Sequence, residues 1–349
     1  MAMPPKFAKP ADLPPQLALF QMITGHYLSR AIYVAAKLGI ADLLSGGSQH
    51  YQELAKATRT HAPSLNRLMR LLSSAGVFAE QENGRFALTP VGEWLQSALP
   101  GSRRAVALLF AGPAMHRAWD DLLYSVETGN VAFDHAFGMG AFDYMAQHPE
   151  EAAIFNQAMV GGTTQTAAAV AEAYDFTPFG TIVDVGGGHG ALLIAILKAN
   201  PKLRGALFEL PHVTEGARKA IEAAGLASRC EVVAGDFFQA VPEGGDTYIL
   251  KSVIHDWDDT RSATILRHCH RVMAPQAKLL LVEVAMPDRV DPSPAAQIIA
   301  GSDVNMLVNV GGRERTEAEF RALFDTAGFK LNRIIPTETL PSVLEGVRV

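Results

Sequence analysis

The stretch Ile182-Val-Asp-Val-Gly-Gly-Gly-His-Gly190 constrains this chain more than any other. Two β-branched residues lead into Asp184, one more apolar residue follows, and four of the next five positions are glycine. Behind them, Ala191-Leu-Leu-Ile-Ala-Ile-Leu197 is an apolar helix former. The order reads as strand, tight turn, helix. Glycine admits dihedrals closed to other residues and leaves the main chain bare for a ligand. The helix start offers unpaired N–H groups to whatever lies above it. Many α/β folds use such a turn for packing alone, so its purpose must be read from the rest of the chain.

From Thr181 onward strand and helix patterns alternate, which calls for a mostly parallel sheet in an α/β fold. The expected strands are 181–185, 205–210, 230–235, 247–252 and 278–284, with helices over 213–224 and 258–273. A helix over 317–327 follows, its start marked by the capping-box spacing Thr316-Glu-Ala-Glu319. The last two strands, 329–335 and 343–349, are joined by a short link and should form an antiparallel pair at the sheet edge.

The 349 residues leave room for more than one domain. Helical periodicity runs from Leu13 to Lys37, with short helices expected over 51–57 and 62–72, the latter with Pro63 in its first turn. Val77 to Gln81 and Arg85 to Thr89 flank Asn83-Gly84, a favoured hairpin turn pair. Helix, helix, hairpin is a winged-helix pattern. Its charges nearly cancel, Lys56, Arg59, Arg67, Arg70 and Arg85 facing Glu53, Glu80, Glu82 and Glu93, so a packing or dimerisation module is expected rather than a DNA reader. The net charge of −6 also argues against nucleic acid. Domains are expected at 1–100 (winged helix), 101–172 (helical connector contributing to a substrate pocket) and 173–349 (catalytic). Pro4 to Pro15 reads as a loose arm. No signal peptide and no membrane-spanning run is seen. Cys230 and Cys269 make neither a disulfide framework nor a zinc site, and a reducing cytoplasm is the expected compartment.

Ligands of open α/β sheets bind beyond the carboxyl ends of the strands. Those ends carry Asp184 with the glycine loop, Glu209, Asp236-Phe237, Lys251 through His255 to Asp259, and Glu283. Gly186, Gly188 and Ala191 would fit a dinucleotide fingerprint, but Asp184 just before the loop would repel a pyrophosphate. It suits a cofactor with a cationic amine and a sulfonium, such as S-adenosylmethionine. Glu209 can accept from ribose hydroxyls, while Asp236, Phe237 and Trp257 suit an adenosine.

The segments Val183-Asp-Val-Gly-Gly-Gly-His-Gly190, Phe208-Glu-Leu-Pro-His212, Gly235-Asp-Phe-Phe238, Leu250-Lys-Ser-Val-Ile-His-Asp-Trp-Asp-Asp259 and Gly311-Gly-Arg-Glu-Arg-Thr316 resemble the plant caffeate and flavonoid O-methyltransferase family, which includes bacterial tailoring enzymes. The resemblance spans nearly the whole chain. It implies a Rossmann-like class I methyltransferase sheet, a homodimer, S-adenosylmethionine as donor and no metal. By position, Gly186, Gly188, Glu209, Asp236, Phe237 and Lys251 resemble cofactor contacts, His255 the general base, and Glu283 and Glu314 the acidic pair flanking it. Phe155, Asn156, Met159, Asn305, Met306 and Asn309 are expected to line the pocket of an aromatic or polyketide acceptor. Glu209 departs from the usual aspartate, and Ser252 stands where plant members often have tryptophan, so the plant substrates do not transfer. Two other readings stay open: the same cofactor site with altered chemistry (N-methylation, hydroxylation or decarboxylation), and a winged-helix regulator. Asp256, Asp258 and Asp259 could supply oxygens to a metal, but Asp258 and Asp259 fit a helix N-terminus better.

Overall fold

The computed structural model describes residues 13–349; within the helix Pro149–Ala173 the side chains of 161–164 are not described. The expected N-terminal arm therefore lies, up to residue 12, outside the described residues. The described chain divides into two compact units, one ending at Pro113 and the other running Ala114–Val349.

The first unit contains α1 (Pro15–Ile23), α2 (Gly25–Leu38), α3 (Ile40–Leu43), β1 (Gln49–His50), α4 (Tyr51–Thr58), α5 (Ala62–Ser74), β2 (Phe78–Glu80), β3 (Arg85–Leu88) and α6 (Arg104–Phe110). The single helix expected over 13–37 is two helices. Thr24 ends the first by turning its hydroxyl back to the Phe20 carbonyl at 2.9 Å, and Gly25 opens the second. The hairpin forms, Phe78 pairing with Leu88 and Glu80 with Phe86. Its turn takes three residues, Glu82–Gly84, with Asn83 and Gly84 both left-handed at φ 56° and 71°. A strand that the sequence reading missed, β1, adds to β3 and completes a three-stranded wing. Leu54, Leu65, Met69, Leu72, Phe78 and Phe86 form the core of this unit. α1 buries nothing within the chain and leaves Leu19, Phe20, Met22 and Ile23 exposed.

The second unit opens with helices α7 (Pro113–Asp120), α8 (Leu122–Thr128), α9 (Ala132–Phe137), α10 (Ala141–Gln147) and α11 (Pro149–Ala173). Then come β4 (Thr181–Val185), α12 (Ala191–Ala199), β5 (Arg204–Glu209), α13 (Thr214–Ala223), β6 (Cys230–Ala234), β7 (Thr247–Lys251), α14 (Asp259–Val272), β8 (Lys278–Glu283), β9 (Ala285–Met286), α15 (Pro294–Asn309), β10 (Arg315–Thr316), α16 (Glu317–Thr326), β11 (Phe329–Ile335) and β12 (Ser342–Arg348). Seven strands form one sheet in the order β11-β12-β8-β7-β4-β5-β6. The five strands from β8 to the β6 edge are parallel, and β12 runs antiparallel to both β8 and β11, as the edge-pair reading expected.

Strands covered on both faces read as continuous apolar runs, because each face needs its own core. Val183, Val185, Leu250, Leu279 and Leu281 pack with α14 and α16 on one side. Ile182, Leu207, Ile249, Leu280 and Val282 pack with α11, α12 and α13 on the other. The order of strand addition reverses at β4: the chain moves outward through β5 and β6, then returns to place β7 on the other side. That is where a crevice opens beyond the strand ends.

Candidate active site

β7 ends at Lys251. Ser252 then takes a left-handed conformation, φ 53°, and turns the chain into a single 3₁₀ turn, Ile254–Asp256, that carries His255. Glu283 is the last residue of β8, the neighbouring strand. Its Oε1 accepts hydrogen bonds from the Val253 and Ile254 N–H groups at 3.1 and 2.9 Å, fixing the turn. Glu314 arrives from the other side. β10 pairs in parallel with β9, Arg315 opposite Ala285, so Glu314, one residue before β10, is brought close to Glu283, two residues before β9. Neither short strand was expected from the sequence.

His255 Nδ1 lies 3.1 Å from Glu283 Oε2 and 3.5 Å from Glu314 Oε1, while Nε2 lies 3.5 Å from Asp256 Oδ1. Glu283 and Glu314 are 1% and 3% exposed. The approach is close but not in hydrogen-bond line, and His255 Nδ1, Glu283 Oε2 and Glu314 Oε2 have no hydrogen-bond partner. Burial works against a charge on His255, but Glu283, then Glu314 and Asp256, outweigh it and hold the imidazole pKa well above its ordinary value. Burial alone would raise the Glu283 carboxyl; the facing His255 and the backbone N–H of Ile254 bring it below the ordinary range. Asp256 is pushed up to about 6 by burial, with His255 pulling against.

Several residues that sequence reasoning missed hold this trio. Ser302 Oγ donates to Glu314 Oε1 at 2.7 Å, and the Glu314 N–H donates to Asp303 Oδ1 at 2.9 Å, both from α15. Arg315 is fully buried. Its guanidinium donates to the Ile254 and Trp257 carbonyls at 3.0 and 2.8 Å and to Asp259 Oδ1 at 2.9 and 2.8 Å, tying the His255 turn to the start of α14. Asp258 caps that helix through the Arg261 N–H at 2.9 Å, so both aspartates serve the helix start.

On the β4 side, Gly186, Gly188 and Gly190 all have positive φ, 72°, 57° and 81°. A Cβ on Gly186 would press on Val253 at 3.0 Å and Phe237 at 3.5 Å, whereas one on Gly188 would meet nothing within 4 Å. Gly188 thus faces open space. Its N–H donates to Glu209 Oε2 at 2.9 Å, and the Leu210 N–H donates to Oε1 at 2.7 Å. Asp184 lies beneath the loop, 1% exposed, with Oδ2 unpartnered. Its carboxyl is pushed up to about 7 by burial and by Glu209, with Lys251 pulling against. Lys251 is held below its ordinary pKa by burial despite the acidic groups around it, and its Nζ donates to Ser252 Oγ at 3.1 Å. Asp236 caps its own turn through the Phe238 N–H at 2.8 Å.

The profile of an O-methyltransferase domain matches residues 119–330, and that of an O-methyltransferase dimerisation domain matches residues 20–98. The chain belongs to the O-methyltransferase family. It is 46% identical to a phenazine O-methyltransferase of Lysobacter antibioticus over 94% of each chain. A phenazine-1-carboxylate N-methyltransferase of Pseudomonas aeruginosa is 33% identical, over 92% of this chain and 94% of that one. Among solved structures, an O-methyltransferase from neocarzinostatin biosynthesis, in complex with S-adenosylmethionine and 2-hydroxy-5-methyl naphthoic acid, superposes with a TM-score of 0.80 at 31% identity, covering 92% of this chain and 96% of that one.

Beside the trio of this O-methyltransferase stands an aromatic wall. Phe142 stacks on Trp257 with ring centres 5.7 Å apart, and Phe155 meets Phe142 edge-on at 6.5 Å. Phe237 and Phe238 approach Trp257 from the other side at 6.2 and 4.8 Å. Trp257 Nε1 is buried without a partner. Of the expected pocket residues, Phe155 joins this wall. Asn305 Oδ1 accepts from Trp119 Nε1 at 3.1 Å and from Asn309 Nδ2 at 2.9 Å, leaving Asn309 Oδ1 buried and unpartnered. Asn156 and Met306 are half-buried and Met159 is exposed on its helix. The ring contact of Phe142 with Trp257 could not be inferred from spacing.

Proposed function

We propose that this O-methyltransferase moves a methyl group from S-adenosylmethionine to a hydroxyl of a flat aromatic or polyketide-type small molecule, with His255 as general base. The observation that carries this reading is the trio of His255, Glu283 and Glu314, gathered beyond the ends of β7 and β8, with Trp257 of the aromatic wall two residues after the base. The residues fit an adenosyl cofactor: bare space over Gly188, a carboxylate at Glu209 for a diol, Asp236 and Phe237 at the next strand end, and an unpartnered indole N–H at Trp257. When bound, that cofactor supplies a methyl group on a sulfonium.

The protein's own part is to remove a proton and hold an oxygen in line. Phe142, Phe155 and Trp257 would grip a flat ring and exclude water. His255 Nε2 takes the hydroxyl proton, while Glu283 and Glu314 stabilise the imidazolium at Nδ1. A phenol near pKa 10 and an ordinary histidine near 6.5 differ by roughly 3.5 units, about 4.8 kcal/mol uphill. The raised His255 pKa narrows that gap. The remaining acceleration comes from proximity in a closed pocket.

A phenol and hydroxyquinone library incubated with S-adenosylmethionine, with products read by mass spectrometry, should yield a product heavier by one methyl group. Methylation confined to nitrogen acceptors would replace this reading with the N-methyltransferase one. Gly188→Val should abolish calorimetric binding of S-adenosylmethionine without unfolding the chain. The dimerisation domain and the exposed apolar residues of α1 support a homodimer. The two buried, unpaired cysteines support a reducing cytoplasm as its place. Among the described residues no helix is long and apolar enough to cross a membrane.

A further inference from the structure

The trio has a second chemistry. Among the described residues it is the one group of His, Cys, Asp or Glu side chains whose ligand atoms converge, all within 4.8 Å of one another. The carboxylates are pinned through single oxygens, Glu283 Oε1 by two backbone N–H groups and Glu314 Oε1 by Ser302. Their other oxygens, and His255 Nδ1, are buried and unpartnered. An ordinary ion pair would align a proton between nitrogen and oxygen. Here three ligand atoms gather within 4.8 Å of one another.

The two distances from Nδ1 approach the spacing an ion requires. Ligands held about 2.0–2.2 Å from a tetrahedral Zn²⁺ lie about 3.3–3.5 Å apart. His255 Nδ1 lies 3.1 Å from the unpartnered Glu283 Oε2 and 3.5 Å from Glu314 Oε1, the oxygen that also accepts from Ser302. The donor set, one imidazole and two carboxylates, is of a type that zinc accepts, and the hydrogen bonds behind the glutamates resemble the outer contacts that orient metal ligands. Of the nearby cations, half-buried Lys251 donates to Ser252, and buried Arg315 donates to Asp259 and to the Ile254 and Trp257 carbonyls rather than to either glutamate.

We infer that His255, Glu283 and Glu314 form a site for Zn²⁺ or a similar divalent transition ion, and that its occupancy silences methyl transfer. The ion takes Nδ1 and any proton there leaves to solvent. The remaining imidazole proton then sits on Nε2, so the ring can donate but cannot accept from a hydroxyl. The silencing rests on the reading of His255 as base; the binding does not.

Calorimetry on the purified chain should show one Zn²⁺ bound per chain and displaced by a chelator. Co²⁺ as a probe should give the visible bands of a four-coordinate ion, lost on adding Zn²⁺. His255→Ala and Glu314→Gln, checked for folding by circular dichroism, should each weaken binding by more than about tenfold. Crystals of the unaltered protein soaked in zinc chloride should give an anomalous peak between the three side chains. Unchanged affinity in both folded variants, or zinc peaks only on surface histidines, overturns the site. Zinc bound at the trio with methyl transfer undiminished overturns the silencing. A protein inactive on every acceptor would bear on the proposed function, while calorimetry and crystals still decide the metal site.

Discussion

Two buried carboxylate networks in the same unit are built from similar groups and left in opposite states. Glu345, on β12, accepts from the Tyr174 hydroxyl at 2.6 Å, from Asn332 at 2.6 Å and from Arg333 at 2.8 and 3.2 Å. Burial would raise its pKa, but those donors bring it below the ordinary range. Glu283 and Glu314 are equally buried, yet each keeps an oxygen without a donor, and His255 keeps a nitrogen. A satisfied network stabilises and is finished. An unsatisfied one costs stability, because a buried polar group without a partner forfeits its hydration. The difference separates a structural device from a site that waits for a substrate proton or an ion.

The contrast breaks most sharply at His255. His255→Ala should lower turnover per folded molecule by about 10²–10⁴. Near-normal turnover at neutral pH would remove the base assignment. At the other network, Tyr174→Phe strips one donor from Glu345 and should destabilise the fold by about 1–3 kcal/mol, measured by urea titration, with turnover per folded molecule unchanged. A loss of turnover without a loss of stability there would erase the distinction between the two networks.

A smaller effect sharpens the comparison through pH. Because His255 is held well above its ordinary pKa, its base form is scarce at neutral pH, and the acid limb of the rate profile should lie above about 6.5. Removing a facing negative charge lowers the imidazole pKa, so Glu283→Gln should move that limb to lower pH while reducing the plateau rate. The stability term has the opposite sense. A histidine raised in the folded state contributes most below its unfolded pKa, and the contribution fades as pH rises through the folded value. Melting curves of the parent should therefore lose His255-dependent stability toward alkaline pH, and His255→Ala should not. The smallest effect is expected from Ser302→Ala, which frees Glu314 Oε1 and should cost turnover only a few-fold.

Much of the site was legible before the fold was known. Strand ends carry the chemistry in an open sheet, so Asp184, Glu209, Asp236, Lys251, His255 and Glu283 could be named from strand boundaries that hold to within a residue or two. Glu314 could not, since it precedes a two-residue strand with no periodicity to betray it; only the resemblance of Gly311 to Thr316 pointed there. Arg315 escaped notice because an arginine beside Arg313 reads as surface. Its burial follows from β10 pairing with β9, which turns alternate side chains to opposite sides. Asp184 was recognised, but the upward push on its carboxyl from burial and from Glu209 across the loop is a product of the fold.

What the residues determine by themselves is what their near neighbours can enforce. The glycine turn after β4, the caps at Thr316 and Asp258 and the apolar runs of the inner strands follow from dihedral freedom, local hydrogen bonds and the need to cover two faces. Only the tertiary structure decides which buried carboxylate finds its donors. Glu283, Glu314 and Glu345 are the same residue type, and nothing within a few positions of each distinguishes them. Their partners lie far away in the chain, Glu345 on Tyr174 and Glu283 on His255, and a lone pair is filled or left open by what the fold carries to within about 3 Å of it.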